Sequence, residues 1–68
     1  MNPVDFDSIV THYTAQGKSE FDLMDAEQNA IECCVDCEGQ TYSTVHDWIQ
    51  TEEGNAAFCK YLIASIEG

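Results

Sequence analysis

The side chains able to do chemistry in this chain are four cysteines, two histidines and a heavy load of carboxylates. Cys34 and Cys37 form a C-x-x-C pair, Cys33 adjoins them, and Cys59 lies far along the chain. Cys34, Cys37, His46 and Cys59 together carry the thiolate and imidazole donors of a tetrahedral zinc site. A single C-x-x-C with no matching second pair is a weak zinc signature. The expectation is therefore packed small thiols, with no bound metal and no cofactor. Thiol chemistry meets a different obstacle. A reactive thiolate needs nearby cations or a helix N-terminus. Here Glu32, Asp36 and Glu38 surround the cysteines, and negative neighbours disfavour the thiolate. No D-x-[DN]-x-[DN]-G run offers a calcium loop. The carboxylates single out no acid–base pair. His12 reads as a residue at the edge of an apolar stripe. An enzyme is not expected.

The carboxylates matter more as a charge. Thirteen Asp and Glu stand against two Lys and Arg in 68 residues, a formal net charge of -11. Residues 1–68 read as one small acidic domain, with room for a single core. Lys18 and Lys60 cannot neutralise a row of phosphates, so direct nucleic-acid binding is excluded, and anionic membrane surfaces with it. The expected partner is basic. The N-terminus has no basic region followed by an apolar run, so a cytoplasmic location is expected, where thiols stay reduced.

Several elements must position these groups. Residues 2–16 read as a helix: Asn2 caps it, Pro3 takes its first position, and Asp5 and Asp7 lie in its first turn. Phe6, Ile9, Val10 and Tyr13 form its apolar stripe, and Gly17 ends it. Val45, Trp48 and Ile49 predict a short helix over Thr44 to Gln50, capped by Ser43. Phe58, Cys59, Leu62, Ile63 and Ile66 predict a longer one over 52–67, capped by Thr51 or Asn55.

The middle supports two readings. Ile31, Cys33, Val35 and Cys37 alternate with Glu32, Cys34, Asp36 and Glu38, a period of two. Phe21 and Leu23 alternate with Asp22. The preferred fold is α+β: an N-terminal helix, a small antiparallel β-meander near 20–25, 30–37 and 40–43, then the two C-terminal helices. The alternative is an all-α bundle of four short helices, with Asp25 and Gln28 as a capping box and Gly39 as the stop.

On strands, Glu32, Asp36 and Glu38 would share the solvent face, with Asp22 on the neighbouring strand. Alternate strand residues lie about 6.6–6.8 Å apart, roughly twice the ~3.4 Å spacing of phosphates along one DNA strand. Such a row would imitate a nucleic-acid backbone, with Glu20, Glu52 and Glu53 extending it. The function expected is a non-enzymatic inhibitor that occupies the basic site of a DNA- or RNA-binding protein. In size and charge the chain resembles the short acidic inhibitors of phages and mobile elements, including anti-restriction and anti-CRISPR proteins. That resemblance lies in size and charge only and transfers no site residue. The alternative is a small structural or interaction module, possibly homodimeric, whose acidity serves solubility. An exposed apolar patch including Tyr42, Tyr61 or Trp48 would favour it.

Overall fold

Ser19, Gly39 and Thr51 punctuate the chain. A computed structural model describes residues 6–68, and among these it contains four helices and no strand. They are α1 (Phe6–Ala15), α2 (Glu20–Glu38), α3 (Val45–Ile49) and α4 (Glu52–Glu67). The cap expected at Asn2, Pro3 and Asp5 lies outside the described residues. No helix among them is long and apolar enough to cross a membrane.

Helix α1 buries Ile9 and Tyr13, one turn apart. It ends where Gly17 turns left-handed at φ +94. Lys18 N–H then reaches back to the Tyr13 carbonyl and Gly17 N–H to that of Thr14, each at 3.0 Å. This is the paired closure of a Schellman turn, which satisfies the helix's last carbonyls. The Tyr13 hydroxyl donates to the Glu67 carboxylate at the far end of α4.

The β-meander expected over 20–25, 30–37 and 40–43 is absent. A continuous helix of 19 residues occupies the first two segments, and the all-α alternative is the fold. Ser19 caps it, its hydroxyl accepting from Asp22 N–H at 3.2 Å, and Gly39 closes it at φ 75. No Gly or Pro interrupts the run, and Ala26, Glu27, Gln28 and Ala30 are helix formers. Burial decides the matter. Leu23, Ala26, Ala30 and Cys34 recur at three- and four-residue intervals and are all buried. The apparent period of two is two interleaved i, i+4 pairs. Ile31 and Val35 flank the buried line on one side, Cys33 and Cys37 on the other.

The third expected strand, 40–43, is a turn. Thr41 and Thr44 cap each other: Thr41 N–H donates to Thr44 Oγ1 at 3.1 Å, and Thr44 N–H to Thr41 Oγ1 at 3.2 Å. The short helix α3 follows from Thr44, one residue later than the Ser43 cap implied. Of the two caps considered for α4, Thr51 is used, accepting from Gly54 N–H at 3.0 Å.

Helix α4 is the centre of the fold. It packs chiefly against α2, then against α3 and α1. Gly54, Phe58, Cys59 and Leu62 form its buried line, and Leu62, Val45 and Cys34 are sealed from solvent. The Phe6 and Phe58 rings stand 6.0 Å apart, tying α1 to the same core. The molecule measures 33 × 27 × 17 Å. The face of α2 turned away from α4 meets water: Phe21, Asp25, Gln28 and Glu32 along it are all exposed.

Candidate interaction surface

A 19-residue helix that buries one line of side chains leaves two others outside. At 100° per residue, α2 carries three separate stripes, each advancing by three and four residues. The inner one is Leu23, Ala26, Ala30 and Cys34. The second is acidic: Asp22, Asp25, Asn29, Glu32 and Asp36, all exposed. The third is Phe21, Met24, Gln28, Ile31 and Val35. Phe21 is 83% exposed and Met24 58% exposed, while Ile31 and Val35 are partly covered by the core.

The acidic residues singled out from the sequence divide among these positions. Asp22, Glu32 and Asp36 share one face, although as helical and not strand neighbours. Glu32 and Asp36 are one turn apart, a rise of about 6 Å, and the match to phosphate spacing argued for strands no longer applies. Asp25 belongs with them and was not among the expected contacts. Glu38 leaves the row. Its Oε2 accepts from the Tyr61 hydroxyl at 2.7 Å, which pins the end of α2 to α4. That bond, with smaller effects of burial and the carboxylate's charge, pushes the Tyr61 hydroxyl up to about 12. Glu20 lies in the first turn of α2, on the other side of the apolar stripe from the acidic one. Glu52 and Glu53 lie in the first turn of α4, where they meet the positive end of its dipole.

The cysteines divide too. Cys34 and Cys59 are buried, Cys33 is half-buried and Cys37 is exposed, and no two of them are joined as a disulfide. Burial pushes the Cys34 thiol up, helped by the charge of Glu38 and by neighbouring Cys33 and Cys37. Cys59 Sγ contacts Asn55 Oδ1 at 3.8 Å. No group of three or more His, Cys, Asp or Glu among the described residues could hold a metal, so Cys34, Cys37, His46 and Cys59 are not brought together as a zinc site. His46 lies instead beside an open cavity of about 400 Å3 whose other walls include Phe6, Ile31 and Phe58. His12 is exposed, 3.0 Å from Gln16 Nε2 and edge-on to the Tyr13 ring.

Sequence reasoning missed the third stripe. Its signal is the 3-4-3-4 spacing that begins at Phe21, which the alternation of Phe21 and Leu23 with Asp22 hides. Among the aromatic residues weighed as interface markers, Tyr42 is 59% exposed, whereas Tyr61 and Trp48 are half-buried. Comparison with family models, with curated proteins and with solved structures finds no match to the chain. Its surface must be read by its own chemistry.

Proposed function

We propose that this chain is a small helical interaction module, without catalytic activity, that recognises another macromolecule through apolar side chains left on its surface. One observation carries the reading: Phe21, 83% exposed, and Met24, 58% exposed, stand next to each other on α2, while smaller residues fill its buried line. Large apolar side chains held together in water cost free energy in the free protein and regain it when covered. Tyr42, also exposed, adds an aromatic side chain of the kind that anchors interfaces. Four cysteines outside any disulfide fit a reducing compartment, and a cytoplasmic location is part of this reading.

A second reading has its own support. Asp22, Asp25, Glu32 and Asp36 line one exposed face, a surface fitted to the basic site of a nucleic-acid-binding protein. Photo-crosslinking in lysate of the native cells, irradiated at low and at high salt, distinguishes the two. A benzophenone side chain is placed at position 21, at position 42 or, on the acidic stripe, at position 29. Discrete adducts from 21 or 42 that persist at high salt support the apolar module. Adducts confined to position 29 and lost at high salt would transfer the function to the acidic face.

A further inference from the structure

We infer that α2 docks a basic amphipathic helix of another protein along the stripe Phe21, Met24, Gln28, Ile31 and Val35. This rests on the interaction-module reading and specifies the partner. The stripe repeats at three and four residues, the a and d spacing of a helix that pairs with a second helix. From Phe21 to Val35 it runs about 21 Å, four turns of contact at about 1.5 Å per residue. Beside Met24, helices α1 and α2 border an open groove of about 380 Å3 with Phe6, Val10 and Leu23 in its walls. It offers a seat for one large apolar side chain of the partner. Lys18, Glu20 and Glu27 supply the groove's charged lining.

Charge names the occupant. With Phe21 at position a, the e and g positions that border the seam are Glu20, Asp25, Glu27, Glu32 and Cys34. Every charged residue among them is an acid. Glu20, Asp25 and Glu32 are exposed and Glu27 is half-buried. In helix pairing these flanks face the partner's flanks. A second copy of this chain would set acid against acid in a parallel pair, where g meets e. It would do so again in an antiparallel pair, where like positions meet. The net charge of -11 on each copy adds to that repulsion. A helix with Lys or Arg at its flanks meets opposite charge at Glu20, Asp25, Glu27 and Glu32, four of the five positions; the fifth, Cys34, is buried in the core. The same residues thus favour a basic partner and disfavour self-pairing.

The test uses the full chain and two synthetic amphipathic peptides with Leu at a and d. One carries Lys at e and g, the other Glu. Fluorescence anisotropy at physiological salt should show the Lys peptide binding at least tenfold more tightly. Phe21→Ala with Met24→Ala leaves the charge untouched and should weaken that peptide about tenfold, the equivalent of one large interfacial side chain. Glu27→Lys with Glu32→Lys should reverse the preference between the peptides. Circular dichroism checks that each variant stays helical. Amide chemical-shift mapping on the unaltered chain gives a readout independent of any variant, with the largest changes expected over residues 20–35 on the apolar stripe.

Lys-peptide binding indifferent to Phe21 and Met24, or shifts confined to the Asp22, Asn29 and Asp36 face, would mean unspecific charge attraction and would overturn the proposal. Sedimentation of the chain alone separates this proposal from the reading beneath it. Self-association abolished by Phe21→Ala would overturn the basic partner while leaving the stripe an interaction surface. If neither peptide binding nor self-association depends on Phe21 and Met24, both readings fall.

Discussion

The backbone of Trp48 occupies the space a side chain on Gly54 would need. A Cβ built on Gly54 would lie 1.8 Å from the Trp48 carbonyl oxygen and 2.5 Å from its carbonyl carbon. The same carbonyl accepts from Thr51 Oγ1 at 2.6 Å and from Thr51 N–H at 3.0 Å. Gly54 is therefore where α3 and α4 meet without a spacer. Gly→Ala inside a helix ordinarily stabilises by up to about 1 kcal/mol. Here the sign reverses, because the obstacle is backbone already held by two hydrogen bonds. Gly54→Ala should destabilise the fold by about 1–3 kcal/mol, the usual cost of overpacking. Urea unfolding measures it, and an equal or higher midpoint would refute the close approach.

Alkaline pH should weaken the fold through groups whose folded forms hold their protons. Tyr61 moves from its ordinary 10.0 to about 12 beside Glu38. Tyr13 is raised by its bond to Glu67, and Cys34 is raised chiefly by burial. A pKa higher in the folded chain means that the unfolded chain loses its proton first. The stabilisation is complete below the unfolded values and disappears as pH rises through the folded ones. Stability should fall from about pH 9 onward, with the Tyr61 share lost between 10.0 and about 12. Tyr61→Phe removes that share. Its stability should be lower than wild type at neutral pH and should decline less steeply above pH 10. Parallel pH curves for the two proteins would contradict the Tyr61–Glu38 bond.

Thiol labelling should follow burial. Cys37 is exposed, Cys33 half-buried, and Cys34 and Cys59 buried. A neutral alkylating reagent followed by mass spectrometry should modify Cys37 first and Cys33 next. Cys34 and Cys59 should react only as the fold opens. An anionic disulfide reagent should react more slowly at low salt than at high salt, since the chain repels it. Early modification of Cys34 would contradict the packing of α2 on α4.

The acidic stripe should be a small burden on the free protein. Asp22 with Asp25, and Glu32 with Asp36, are like charges at three- and four-residue helical spacing. Each such pair costs about 0.2–0.5 kcal/mol. Asp25→Asn and Glu32→Gln should each raise stability by a few tenths of a kcal/mol. Added salt should stabilise the wild type more than it stabilises the double variant. A double variant less stable than wild type would show that these carboxylates make a contact in the fold.

Helices α1, α3 and α4 are legible because each repeats its apolar residues at helical spacing, although the start of α1 lies outside the described residues and α3 begins from Thr44 and not from Ser43. Gly17 and Thr51 act where sequence reasoning puts them. The middle was misread for a physical reason. Its buried line runs through Ala26, Ala30 and Cys34, small side chains that a hydrophobicity pattern underweights. The larger Ile31, Val35 and Phe21 lie off that line. The helix start was sought at Asp25, while Ser19 was passed over. The acidic face was read in part. Asp22, Glu32 and Asp36 do lie together, Glu38 is taken by Tyr61, and Asp25 joins the row, as the helical reading of the middle places it beside Asn29, Glu32 and Asp36. Whether Cys34, Cys37, His46 and Cys59 would converge depended on the pairing of distant elements, which spacing along the chain does not encode.

Because α2 serves three directions at once, its length is as constrained as its composition. One residue inserted between Gln28 and Asn29 would rotate everything beyond it by about 100°. Asp36 would turn toward the side that buries Ala30, Cys34 would leave the core, and the apolar line would break at its midpoint. The turn over 40–44 buries no side chain, so a change of length there would cost the bonds between Thr41 and Thr44 but not the core. In lineages descending from this chain, α2 should therefore accept substitutions but not insertions or deletions, and indels should accumulate between Gly39 and Val45.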